Sequence, residues 1–204
     1  MGDINFADYF RNVPDFPKPG IQFKDATPLL GKGRILYEAC RELRRKADHM
    51  GAEAIVGIDA RGFIMATGIA IIDPERPLGL YMARKVNKLP VSPIDRDETH
   101  REVFEMQGYR VTVTPERVIV QYGLEYGSDA LEMHRGDHDG VLKPGTKTVV
   151  ADDIVATGGT MGAAIVACDI LKADVVGALA LGELGFLNGR ERLRDCPLET
   201  LVKF

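Results

Sequence analysis

Four short, nearly uninterrupted apolar runs, Ala54–Ile58, Leu78–Met82, Lys147–Ala151 and Val175–Leu181, leave this chain few folds to adopt. A strand with one face in water alternates apolar and polar residues, whereas a run without alternation has to be covered on both faces. Helical patterns separate these runs. Ile35, Leu36, Ala39, Cys40, Leu43 and Ala47 recur at helical spacing and are followed by Gly51. Gly62–Ile72 is stopped by Asp73-Pro74, and a third helical pattern covers Gly159–Leu171. Strands alternating with helices imply an α/β fold, a parallel sheet with flanking helices. Such folds collect ligands at the carboxyl ends of the strands, where the strand order reverses.

The 204 residues suit one domain, 1–204, since no internal repeat, low-complexity tract or Gly/Ser/Pro-rich linker divides them. With 45% hydrophobic and 27% charged residues and a net charge of -4, the chain has no field that would draw it to nucleic acid or an anionic membrane. An anionic substrate would therefore have to be held by cations gathered locally. The apolar run Ala66–Ile72 is too short to span a bilayer, and MGDINFADYF does not read as a secretory signal. Cys40, Cys168 and Cys196 are widely spaced and form no CxxC, so they read as buried thiols of a reducing compartment. The expected location is cytoplasmic.

Residues 91–120 follow a different pattern. Ile94–Glu102 is densely charged and reads as a solvated loop. Beyond it Tyr109, Val111 and Val113 alternate, as do Val118, Val120 and Tyr122, about a Thr114–Arg117 turn. That is a hairpin signal, expected as an appendage on the α/β core. His134, Asp137, His138 and Asp139 contain metal-ligand types, but the flanking Gly136 and Gly140 favour a polar turn.

The chemistry concentrates in Val149–Thr160, VVADDIVATGGT. An apolar strand delivers Asp152 and Asp153 to its carboxyl end, and Ala156–Thr160 then turn into a helix. Glycines and threonines there offer amides and hydroxyls to an oxyanion, whose charge the helix N-terminus favours. Adjacent carboxylates would repel that oxyanion and suit instead the donors within reach, vicinal sugar hydroxyls or a hydrated cation. Together they imply a ribose 5-phosphate ligand. No GxxxxGK[ST] occurs, and Gly31-Lys32-Gly33 lacks the strand and third glycine of a dinucleotide loop. Asp59-Ala60-Arg61-Gly62 is a second strand-to-helix junction with one cation. Arg84, Lys85 and Lys88 cluster beside Leu89-Pro90. On residue type alone that cluster could be a solvated face, Phe23 could be core or a purine-stacking ring, and Glu125 reads as an exposed strand carboxylate.

VVADDIVATGGT resembles the phosphoribosyl pyrophosphate (PRPP) signature of type I phosphoribosyltransferases. Pro19–Leu30, Gly57–Phe63, Arg84–Pro90 and Leu124–His134 occur in the order seen in the members that act on adenine, and the resemblance covers the chain apart from about 91–120. It implies the parallel-sheet type I fold with a small hood from residues 1–33 and an inserted hairpin at 91–120. It also implies transfer of the phosphoribosyl group from PRPP to adenine, giving AMP and pyrophosphate. Asp152, Asp153, Ala156, Thr157, Gly158, Gly159 and Thr160 would hold the ribose phosphate, with Arg61 at the pyrophosphate end and assisting the chemistry. Arg84, Lys85 and Lys88 would neutralise pyrophosphate, in their own subunit or across a homodimer. Phe23 and Ile154 would sandwich adenine while the backbone of Gln22 and Lys24 reads its edge. Glu125 would act as general base and Tyr126 would close over the site. Mg²⁺ would be held mainly by substrate oxygens, without a dedicated protein cage. Because the hairpin leads into Val118–Tyr126, it is expected to extend the hood. Two rivals are a relative using hypoxanthine, guanine or xanthine and a non-catalytic PRPP-sensing regulator. The regulator would be expected to carry a basic DNA-binding module.

Overall fold

The computed structural model describes residues 4–16, 19–96, 101–124 and 127–204. A 3₁₀ turn (Phe6–Tyr9) leads into an antiparallel ribbon, β1 (Arg11–Pro14) and β2 (Gln22–Asp25), in which Val13 lies opposite Phe23. There follow α1 (Thr27–Leu30), α2 (Gly33–His49), β3 (Ala54–Ile58), α3 (Arg61–Ile71), β4 (Gly79–Lys85) and the single turn α4 (Pro93–Arg96). Next come β5 (Glu102–Met106), β6 (Tyr109–Val113), β7 (Arg117–Leu124) and β8 (Gly127–His134). The chain ends with β9 (Lys147–Val155), α5 (Gly159–Ile170), β10 (Asp174–Glu183), 3₁₀ turns at Gly185–Leu187 and Gly189–Leu193, and β11 (Leu198–Lys203).

Nine strands form one sheet in the order β11-β10-β9-β3-β4-β8-β7-β6-β5. From β11 to β4 the pairs are parallel, and from β4 to β5 they are antiparallel. The four apolar runs are β3, β4, β9 and β10; the side chains of β3, β9 and β10 divide between two cores, whereas β4 buries Ala83 and leaves Leu80 and Met82 exposed. Ile55, Val149, Ala151, Leu179 and Leu181 pack with α2 and α3 on one face. Val56, Ile58, Val150, Ala178 and Ala180 pack with α5 on the other. Each fully buried Ile, Leu or Val contributes roughly 1.5–3 kcal/mol, so double coverage accounts for the lack of alternation in β3, β9 and β10. Among the described residues no helix is long and apolar enough to cross a membrane.

The hairpin at 109–122 forms with the expected turn, where the Thr114 amide donates to the Arg117 carbonyl (2.9 Å). It is not an appendage. β7 pairs along its length with β8, and Tyr109, Val111, Val118, Val120 and Tyr122 join the core beneath α5. An alternating strand has one apolar face to bury, and α5 covers it. The solvated-loop expectation for Ile94–Glu102 also fails at Asp95, which is buried against Arg117. Residues 97–100 of that segment lie outside the described residues. β11 escaped the sequence pattern because LETLVK, on the sheet edge, is mixed in character.

Two features of this architecture place the site. From β3 the chain passes to β4 on one side, and it later enters β9 on the other side of β3. The loops after β3 and β9 therefore diverge, leaving a crevice at the switch point. Gly62, in the first turn of α3, lets that helix rest on β9: a Cβ there would lie 2.7 Å from the Ala151 carbonyl. Close approach at Gly62 brings the start of α3 against the Asp152-Asp153 end of β9.

Candidate active site

Asp152 and Asp153 stand in the last residues of β9. The Asp153 amide donates to Asp152 Oδ1 (2.8 Å), and Asp153, only 3% exposed, faces Arg61 Nε at 2.7 Å. Burial pushes the Asp152 carboxyl well above the usual carboxylate range, and the neighbouring Asp153 charge adds to the rise. Burial also raises Asp153, while Arg61 opposes the rise. Desolvation favours the neutral acid at both positions and the Asp153 charge adds to it at Asp152, so further donors or a cation would favour the ionised pair. Sugar hydroxyls supply such donors.

The loop after β9 turns back through Gly158, which adopts φ +77° as the N-cap of α5. A Cβ at this position would collide with the carbonyl of Gly189. The first bond of the helix runs from the Gly162 amide to the Gly158 carbonyl (2.8 Å), so no helical carbonyl precedes the amides of Gly159, Thr160 and Met161. These amides and the positive helix end suit an oxyanion. A hollow of about 80 Å³ lies here, lined by Asp152, Ile154 and Val155–Met161. It shares Asp152, Ile154, Ala156 and Thr160 with a cleft of about 220 Å³ that also touches Phe23, Asp59, Ala60, Arg61, Lys85 and Asp153. The Asp59–Ala60 peptide in this cleft is cis.

The three cations at the end of β4 occupy different environments. Lys85 lines the cleft and donates to the Asp129 carboxylate and to the Tyr122 hydroxyl (2.8 Å). Burial lowers its pKa, but the bonds to Asp129 and Tyr122 outweigh burial and leave it raised, so the ammonium stays charged. Arg84 does not line the cleft; its Nε lies 3.7 Å from Asp59 Oδ2, and its Nη1 donates to the Lys88 carbonyl (2.9 Å). Lys88 is exposed and also outside the cleft lining.

On the other side Phe23 is half-buried, meeting Phe16 edge-on with centroids 5.3 Å apart. Gln22 and Lys24 do not line the cleft. The Lys24 ammonium instead donates to Asn12 Oδ1 (2.5 Å) and lies over the Phe204 ring. Glu125 and Tyr126 lie outside the described residues. Sequence reasoning named Asp59 only as part of its strand-to-helix junction and gave no site role to Asp129 or Tyr122. Asp59 was visible at the end of the β3 run, but the Lys85 partners emerge only from the β7–β8 register, which sets Tyr122 opposite Asp129. Among the described residues no group of three or more His, Cys, Asp or Glu could hold a metal ion. His138 Nδ1 accepts the Gly140 amide (3.2 Å) within its turn.

A mixed sheet whose parallel strand β9 ends in paired acids and a glycine cradle, facing an arginine after β3, defines a type I phosphoribosyltransferase. No family model matches the chain. An adenine phosphoribosyltransferase of Roseiflexus sp. (strain RS-1) is 39% identical over 200 residues, spanning 98% of both chains. The crystal structure of adenine phosphoribosyltransferase from Thermoanaerobacter pseudethanolicus superposes with a TM-score of 0.75 at 31% identity, covering 97% of this chain and 96% of that one. The Saccharomyces cerevisiae enzyme, complexed with D-2,5-dideoxy-2,5-imino-altritol 1,6-bisphosphate and adenine, gives 0.71 at 27% identity over 96% and 98%. This chain belongs to the adenine phosphoribosyltransferase family.

The paired acids carry a pH signature. Because the folded-state pKa of Asp152 lies above the unfolded value, its ionisation opposes folding as pH rises from about 4 through the raised pKa, and not below. Asp152→Asn should therefore melt above wild type at pH 7, with the two converging near pH 4. Calorimetric Tm values across that range check this, and a variant less stable than wild type at pH 7 would contradict it.

Proposed function

We propose that this chain transfers the 5-phosphoribosyl group of PRPP to adenine, releasing AMP and pyrophosphate, through the residues gathered at the β3–β9 crevice. The observation carrying this reading is the continuity of the acidic pair, the α5 cradle, Arg61 and Phe23 around joined hollows. Asp152 and Asp153 accept the ribose hydroxyls, and the amides and hydroxyls of Ala156–Thr160 hold the 5-phosphate. Arg61 and Lys85, with Arg84 and Lys88 beside them, draw the pyrophosphate and its developing charge. Phe23 and Ile154 enclose the base, and the backbone of Gln22 and Lys24 reads its edge. By family resemblance Glu125 takes the proton shed by the attacking purine nitrogen, and Tyr126 closes the site against water. The single domain spans 1–204, with residues 1–33 as its hood.

The donor set fits Mg²⁺ brought in with the substrate, since two adjacent carboxylates are reachable from the cleft. When bound, the ion would offset negative charge on the pyrophosphate and ribose oxygens. Asp152 and Asp153 would meet it directly or through its waters.

We assign the chain to a cytoplasmic homodimer. Leu80 and Met82 of β4 and Ile64 and Ile71 of the adjacent α3 are exposed apolar residues that a second copy would cover. Its three cysteines are free thiols. Sedimentation should give a dimer for wild type and a monomer for Met82→Asp; a wild-type monomer would refute the assignment.

The activity itself is tested by supplying PRPP, Mg²⁺ and adenine, hypoxanthine, guanine or xanthine in turn. AMP should form at least a hundredfold faster than any other nucleotide, a lower bound beneath the roughly 10⁴–10⁵-fold that a site built around hydrogen bonds can reach. Comparable rates with another purine would overturn the assignment to adenine.

A further inference from the structure

Behind the cation loop lies a buried charge network that the reaction leaves without a task. Glu132, 0% exposed, stands on β8 opposite Arg84 of β4. Its Oε1 accepts the amides of both Lys88 and Leu89, each at 2.8 Å, while Oε2 accepts from Arg117 Nη1 at 2.9 Å. Arg117 begins β7, and its Nε lies 2.8 Å from Oδ2 of Asp95, which is 3% exposed. The loop after β4 is thus fastened from below by Glu132, and Glu132 is held in turn by Arg117 and Asp95.

Stability alone is a poor reason for such a chain, because apolar side chains of similar volume fill a core at no greater cost. A carboxylate can do what they cannot, which is to accept two successive amides and fix the loop between them. That loop carries Arg84 at one end and Lys88 near the other, closed by the Arg84 bond to the Lys88 carbonyl. Cations already held in place lose less freedom when an anion arrives.

We propose that Asp95, Arg117 and Glu132 are positioning residues that preorganise the Arg84–Lys88 loop for the pyrophosphate of PRPP. The inference rests on the phosphoribosyl-transfer reading above. It also gives the 91–117 segment a task, since both Asp95 and Arg117 come from it. With the brace cut, the ligand has to order the loop. Ligands containing pyrophosphate then weaken, while those without it do not.

Wild type, Glu132→Gln and Asp95→Asn are titrated with pyrophosphate and, separately, with ribose 5-phosphate, both in the presence of Mg²⁺. Both variants should bind pyrophosphate about tenfold more weakly and ribose 5-phosphate within about twofold of wild type. Their KM for PRPP should rise while that for adenine holds. Unchanged pyrophosphate affinity, or equal weakening of both ligands, would overturn the proposal. Hydrogen exchange on wild type decides the matter if the variants do not fold: the Lys88 and Leu89 amides should be protected without ligand, and exchange at the rate of open amides overturns the brace. A wild type that binds neither pyrophosphate nor PRPP sinks the transferase reading and the brace's task with it. That result is distinct from normal wild-type binding with unaffected variants.

Discussion

Two carboxylates side by side at the end of one strand, Asp152 and Asp153 of β9, set the terms for everything around them. Burial holds both above the usual carboxylate range, the Asp153 charge adds to the rise at Asp152, and at Asp153 the rise is opposed chiefly by Arg61 on the neighbouring helix, with hydrogen bonds beside it. Arg61 reaches Asp153 because α3 lies against β9, and α3 lies there because residue 62 has no side chain. The cost of the acidic pair is thus tied to the sheet order and to one close backbone approach. A pair held this way is poised for hydroxyl donors, with an anion cradle beside it at the start of α5.

β4 joins the two halves of the sheet. On one side lie the parallel strands, whose carboxyl ends form the acidic pair, the cradle and the Arg61 junction. On the other lie the antiparallel strands, which reach back to grip the end of β4. Lys85 is held by Tyr122 and Asp129, and the amides of Lys88 and Leu89 are held by Glu132. In the proposed reaction this divides the work: the parallel half receives the ribose phosphate, and the antiparallel half keeps the cations in place for the departing pyrophosphate. The hairpin at 109–122 belongs to that second half, which explains why it is packed under α5 instead of standing clear of the core.

Much of this was legible in the sequence because it is local. Uninterrupted apolar runs mark β3, β4, β9 and β10 as strands, and for β3, β9 and β10 they report coverage on both faces. The cradle is a contiguous stretch whose glycines and threonines announce their backbone geometry. What was not legible depends on register between distant strands. Asp95 reads as one more charge in a polar segment until β7 presents Arg117 to it. Asp129 gives no sign of meeting Lys85, 44 residues away. The alternation at 109–122 predicts one buried face but cannot say what buries it. The roles of Glu125 and Tyr126 rest on the family resemblance, since both lie outside the described residues.

If the acidic pair is the element that receives the ribose, occupying it should change its protonation. Titrating PRPP with Mg²⁺ into wild type and Asp152→Asn, in buffers of differing ionisation enthalpy near pH 7, counts the protons exchanged on binding. Wild type should release more protons than the variant, because ligand hydroxyls and the cation favour the ionised carboxylates that burial disfavours. Equal proton counts in the two proteins, with PRPP bound equally well, would show that the ligand does not engage the pair.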